Sequence, residues 1–361
     1  MKCLNNLDRI SYPQELVIDL TKLYRFKGKD FYYEDILKNE MSQIVKTTIE
    51  KDTFYAAKLL DLKVTESRTK LLIRKDSKPK TKDETILTNL KNVFKLVQEK
   101  GEDIELTTNE FLQLGKKIFG ENGIDYATEI VDYKVNLLTD KKKVSKREKM
   151  SEELKLYEKL LYSQTIEPTQ IITNIYVDLL HLNVFTNYNE FMSLLIFYCL
   201  LYRERFNVFK YISFFQLYYE DKDKFKTATI SAGYDWEEGF SQTAPLNRLT
   251  IKTMLNAYQQ VEGKTEDFKF DKRIRKVDNV EATILRLGEV FTREQIKNAH
   301  PTLSDSTINR ALEKLKKENK VRSTGTGRAA TWVRLVPEEM MSAKMKQMTL
   351  FDILMDTDED E

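Results

Sequence analysis

The chain has 361 residues, 41% hydrophobic and 32% charged, with 59 Lys and Arg against 57 Asp and Glu and only 11 Gly and 6 Pro. That length can bury more than one core, and so few turn formers argue against a β-rich or loop-rich protein, so a mainly α chain of two or three domains is expected. Two His (His181, His300) and two Cys (Cys3, Cys199) exclude a His/Cys zinc cluster and a disulfide scaffold.

The first residues show no apolar signal-peptide core, so a cytoplasmic protein with reduced Cys is expected. Residues 13–60 read as helices, with Leu16, Leu20, Leu23 and Tyr24, then Ile36, Met41 and Ile44, at three- and four-residue spacing. Residues 74–83 read as a polar loop, and 84–100 as an amphipathic helix stopped by Gly101. Thr107 caps the next helix, with Glu110 three residues on, and that helix ends near Gly120. The charged stretch 133–149 suits an exposed hairpin or loop. Residues 151–202 are helical again, interrupted at Pro168 and around Asn183 to Asn189. The apolar run 191–202 falls short of the roughly 20 residues that span a bilayer, so it is expected to be a buried core helix with no membrane partner. Three more helices follow over 212–260, around a break at Ala232-Gly233, and the polar stretch 263–278 is expected to be a linker.

Residues 279–335 form a separate module. A helix over 279–287 ends at Gly288, a second over 292–298 is capped by Thr292, and a third, capped at Ser304-Asp305, runs to about 320. Two β-prone stretches, 320–323 and 330–335, flank a Gly-containing turn. Three helices and a hairpin in this order are those of a winged helix-turn-helix, and the stretch from Leu303 to Lys316 resembles bacterial winged-helix recognition helices. Ile308, Leu312 and Leu315 face inward. Ser306, Thr307, Asn309, Arg310 and Lys314 are the candidate DNA-binding residues, with Arg328 at the wing tip. Residues 272–335 hold fifteen Lys and Arg against seven Asp and Glu, a charge that favours DNA as partner through counterion release.

In the body before this module, residues 45–51 (with Glu50 and Lys51), 88–95 and 168–185, and the aromatic pattern at Tyr218, Tyr219 and Trp236, stand out together. They resemble the Fic (filamentation induced by cAMP) family with its N-terminal extension, residues 45–51 being similar to its inhibitory helix, with Glu50 matching and Lys51 in place of Gly. The resemblance implies a Fic-type helical domain, with 1–125 as the N-terminal extension, 126–262 as the core, 279–335 as an appended α+β winged helix and 336–361 as an acidic tail. It also implies an active-site loop between two helices, in which a His acts as base, an acid holds metal, glycines admit phosphate and arginines neutralise it.

The matching stretch here is residues 183–194, where Phe185 and Asn189 fit the family motif. Asn183 stands for the His, Thr186 for the acid, Tyr188 and Glu190 for the two glycines, and Phe191 and Leu194 for the two arginines. Asn is no general base, and Tyr188 and Glu190 remove the small residues an anion nest needs. On these motif departures, neither a metal nor a cofactor is expected. A Fic-type pseudoenzyme follows as the expectation, not an enzyme, with Glu50 an ordinary helix carboxylate lacking a motif Arg, and His181 a partly buried helix-face residue. Two alternatives stand beside it: AMP transfer to protein hydroxyls from a divergent site, and a toxin- or antitoxin-like interaction protein.

In the tail, Gln347, Leu350 and Phe351 resemble the short peptide by which bacterial proteins bind the replicative sliding clamp, with the last two filling an apolar pocket. The competing reading packs Met345, Leu350, Phe351 and Ile353 back on the protein as one helical turn. The last eleven residues hold six acids and no base, so the rest of the chain carries +8. The expected function is a catalytically inactive scaffold and regulator or replication-associated factor that binds DNA and the clamp, with a homodimer as a further expected partner.

Overall fold

The computed structural model describes residues 3–9, 13–128, 130–133, 142–273, 276–301, 303–325 and 330–335. It divides into two compact units, 1–265 and 266–361. The expected mainly α fold with a small β part is found.

In the first unit the helices are α1 (Gln14–Lys27), α2 (Asp30–Leu37), α3 (Met41–Leu59), α4 (Glu66–Lys75), α5 (Lys82–Lys100) and α6 (Thr108–Phe119). An antiparallel hairpin, β1 (Ile130–Tyr133) and β2 (Lys142–Ser145), precedes α7 (Lys146–Ser163), α8 (Pro168–Leu182) and α9 (Asn189–Arg203). Then come α10 (Phe214–Glu220), α11 (Lys222–Ala232) and α12 (Ala244–Arg273). The apolar run of α9 is buried on every side from Phe191 to Tyr202, as expected of a central core helix, and α8 packs along it. A helix buried all round has no polar face to give to water, which is why this stretch lacks amphipathic spacing.

Starts and stops follow local chemistry. Thr81 and Thr107 accept the backbone N–H of Glu84 and Glu110, and Ser145 with Glu148 forms a full capping box. Pro168 opens α8, where its missing N–H costs nothing, and Glu167 accepts from the N–H groups of Thr169 and Gln170. Gly101 follows α5 in ordinary right-handed geometry (φ −59°). Its lack of a Cβ allows close packing instead, because a Cβ there would lie 2.9 Å from that of Tyr202.

Three local readings change. The loop expected over 74–83 shrinks to 76–81, because α4 continues through Lys75 and α5 begins at Lys82. The hairpin-or-loop stretch ends at Ser145, where the capping box starts α7. The boundary between the two units falls inside the linker expected over 263–278, but that stretch is helical to Arg273, and α13 (Lys276–Arg286) starts three residues beyond. The stretch has one Gly and no Pro, its residues are helix-compatible, and buried Thr265 bonds back to the Val261 carbonyl (2.7 Å).

The second unit continues with β3 (Val290–Thr292), α14 (Arg293–Ala299), α15 (Asp305–Lys317), β4 (Val321–Ser323) and β5 (Thr331–Arg334). The sheet has the order β3-β5-β4, all antiparallel, with Phe291 opposite Trp332 and Ser323 also opposite Trp332. Strand β3 is an addition to the elements expected from the sequence. Ile308, Ala311, Leu312 and Leu315 of α15 join Val280, Ile284, Phe291, Ile296, Val321 and Trp332 in one core.

Candidate functional site

The α8–α9 loop is set by two residues in left-handed backbone geometry. Asn183 ends α8 at φ 47°, ψ 61°, a conformation Asn tolerates, and its carbonyl accepts from Lys146 Nζ (3.1 Å). Tyr188 opens α9 at φ 58°, ψ 25°, which glycine would adopt without strain. Between them the chain pairs with residues 125–127. The Tyr126–Phe185 bridge is flanked by bonds from Ala127 N to Val184 O and from Thr186 N to Asp125 O, each 2.8 Å.

Side chains of the loop are spent on holding it. The Thr186 hydroxyl accepts from Asp125 N (3.0 Å), and Asn187 donates to Gly123 O (3.3 Å). Asn189 accepts from Phe185 N (3.2 Å) and donates to Leu180 O (3.3 Å), closing the loop from within. The Tyr188 ring stacks flat on Phe119, with centroids 3.8 Å apart and planes within 5°. Glu190 is exposed in the first turn of α9. Phe191 and Leu194 are buried, Phe191 between the rings of Phe119 and Phe215.

Glu50 pairs with an arginine outside the motif stretch. Arg74 of α4 lies 3.3 Å away, so the pair ties α3 to α4 rather than reaching residues 183–194. His181 is exposed at one edge, but its ring stacks on Trp236 (5.1 Å, 21°), and burial lowers its pKa. Among the described residues no group of three or more His, Cys, Asp or Glu is placed to hold a metal ion. Among the described residues, too, no helix is long and apolar enough to cross a membrane.

Two buried carboxylates next to these elements escaped the sequence reading. Asp178 of α8, fully buried, accepts from Cys3 N (2.9 Å), Leu4 N (3.0 Å) and Trp236 Nε1 (2.7 Å). Its charge, after burial itself, pushes neighbouring Glu153 up to about 8. Asp52 of α3 accepts from Ser213 Oγ (2.6 Å), Phe215 N (3.0 Å) and Tyr198 OH (3.3 Å), joining α3 to the start of α10. A lone Asp inside an otherwise apolar helical stretch was the available signal at 178.

In the second unit, the Ser304 hydroxyl accepts from Thr307 N (3.2 Å) and bonds the hydroxyls of Ser306 (2.8 Å) and Thr307 (2.9 Å). Both predicted polar residues are thus drawn into the α15 cap. Asn309 Oδ1 is buried without a hydrogen-bond partner, Arg310 is exposed, and Lys314 pairs with Glu318 (3.6 Å). Arg328, Gln347, Leu350 and Phe351 lie outside the described residues.

No family model and no curated protein matches this sequence. Solved structures do match in shape. A Fic family protein from Desulfovibrio desulfuricans G20 superposes with a TM-score of 0.53 at 10% identity, over 90% of this chain and 97% of that one. A Fic domain containing signaling protein from Bacteroides thetaiotaomicron gives 0.53 at 13% identity, over 68% and 98%. The chain therefore has the fold of Fic-domain proteins, and the first match extends past the 265 residues of the first unit.

Proposed function

We propose that this chain is a Fic-fold protein that does not transfer nucleotides and that binds DNA through its C-terminal unit. The observation that carries the first half is the loop from Asn183 to Asn189. Its left-handed turn holds Tyr188, stacked over Phe119, where a phosphate nest needs an open glycine. An exposed carboxylate at Glu190 adds repulsion toward phosphate, and Phe191 and Leu194 are committed to the core instead of supplying positive charge.

The order α13-β3-α14-α15-β4-β5 supports reading the second unit as a winged helix-turn-helix, with α15 as the helix for the major groove. Because the Ser304 cap engages Ser306 and Thr307, and Asn309 Oδ1 is buried, base recognition falls to exposed Arg310, with Lys314 on phosphate. The resemblance of Gln347, Leu350 and Phe351 to a clamp-binding peptide adds the replicative sliding clamp as a second partner. In a salt titration with duplex DNA, Arg310→Ala with Lys314→Ala should weaken binding and flatten the log–log salt slope by about 0.9 for each phosphate no longer neutralised. No binding by the parent chain even at low salt would remove DNA from the reading.

A further inference from the structure

The turn joining α4 to α5 carries an unbalanced charge that the C-terminal unit does not account for. Residues 68–82 hold seven Lys or Arg and one acid, Asp76, in a chain whose totals are nearly equal. The turn is built from inside. Arg68 forks onto Glu84 (2.8 and 3.0 Å) and donates to Lys78 O (2.5 Å), and Lys80 N donates to Glu84 Oε2 (2.6 Å). Lys91 Nζ reaches both Ile73 O (2.6 Å) and Asp76 (2.5 Å).

These bonds fix the backbone and engage the acids of the turn itself, though Glu66, one turn before Lys70, stays exposed. Glu84 serves Arg68, Glu50 serves Arg74, and Asp83 accepts the Lys63 N–H (2.8 Å). The side chains of Lys70, Lys75, Lys78, Lys80 and Lys82 are exposed, and none forms an ion pair among the described residues. The basic surface widens onto α3 and α5. The Lys91 hydrogen bond first, and then the charges of Lys46 and Lys95, hold the Asp76 carboxyl below its usual range.

Like charges held together on a fixed turn repel one another unless an anion neutralises them. The surface between them is Ser67, Ser77, Pro79 and Thr81, with no exposed aromatic anchor. Lysine is depleted from protein–protein interfaces, whereas as a point charge it suits phosphate, so the chemistry favours a phosphodiester backbone over an acidic protein.

We propose that the α4–α5 turn is a second, sequence-independent binding surface for the backbone of duplex DNA. Its choice of DNA rests on the function proposed above, while its residues are separate from α15. The test is fluorescence anisotropy of the full chain on a labelled duplex across a salt series. Three variants are compared with the parent: one with all five lysines (70, 75, 78, 80, 82) changed to Gln, one with all five changed to Arg, and the Arg310→Ala, Lys314→Ala pair. The Gln variant should bind at least about tenfold more weakly at about 100 mM salt and lose about 0.9 of salt slope per phosphate, while the Arg variant binds as the parent does. Thermal melts of the variants should match the parent, since the exchanged side chains are exposed and form no ion pair among the described residues.

Unchanged affinity and slope in the Gln variant would overturn the proposal and point to an acidic protein surface as the occupant. If the Gln variant loses binding while the Arg310, Lys314 pair does not, the turn stands and the α15 reading fails. The reverse pattern sinks the turn alone.

Discussion

Asp178→Ala should cost the first unit on the order of 5 kcal/mol, because each of three orphaned buried donors is worth about 1–3 kcal/mol. The donors belong to distant pieces of chain: the backbone at Cys3 and Leu4, and the indole of Trp236. One carboxylate in α8 therefore anchors the N-terminal 3₁₀ turn (Leu4–Arg9) and the segment after α11 at once. Alanine offers no acceptor and opens a cavity. Removing the charge also relieves Glu153, whose pKa should fall, a partial offset that does not restore the bonds. For a unit of this size the loss corresponds to roughly 10–20 °C in melting temperature. Calorimetry of the full chain checks it, with Trp fluorescence following the indole at 236. A shift under a few degrees would mean that Asp178 is not the anchor its geometry makes it.

The second large effect concerns Asp52, and it depends on pH. Burial pushes its carboxyl up to about 7, against the opposing pull of the Ser213, Phe215 and Tyr198 bonds. Its native pKa thus lies above the unfolded value of about 3.9. The native state holds the proton more tightly, so the contribution is fully present below about pH 4 and is lost as pH rises through about 7. Asp52→Asn keeps an acceptor for Ser213 and Phe215 but does not titrate. The stability of the parent minus that of the variant should therefore fall as pH rises from about 4 to about 7, by about 4 kcal/mol in all, of which about 3 kcal/mol falls between about pH 5 and pH 8. Asp30 and Glu153, also raised by burial to about 7 and about 8, are common to both proteins and cancel in the difference. Urea midpoints at about pH 5, 6, 7 and 8 read it directly. A difference that grows with pH would reverse the sign and refute the assignment.

What the sequence made legible was what local chemistry decides. The caps at Thr107, Thr292 and Ser304 mark helix starts by themselves, and an unbroken apolar run cannot lie anywhere but the core, so α9 was readable. Strand β3 was not, because a three-residue strand, Val290–Thr292, carries no alternation to read. The tail of α12 looked like a linker because its polar residues show no apolar stripe. The site divided the same way. Departures from the Fic motif at Asn183, Tyr188 and Glu190 are visible in the letters. Nothing in them places Phe119 under Tyr188, gives Glu50 a partner in Arg74, or brings Cys3, Leu4 and Trp236 to Asp178, because those contacts bridge residues far apart in sequence.

On the function proposed here, the α8–α9 loop does not serve nucleotide chemistry. The most direct measurement incubates the full chain with ATP labelled on the α-phosphate, magnesium or manganese, and bacterial lysate, then looks for label on protein. No label above the protein-free control is expected. Transfer that appears with the parent chain and disappears when residues 183–194 are altered would contradict it.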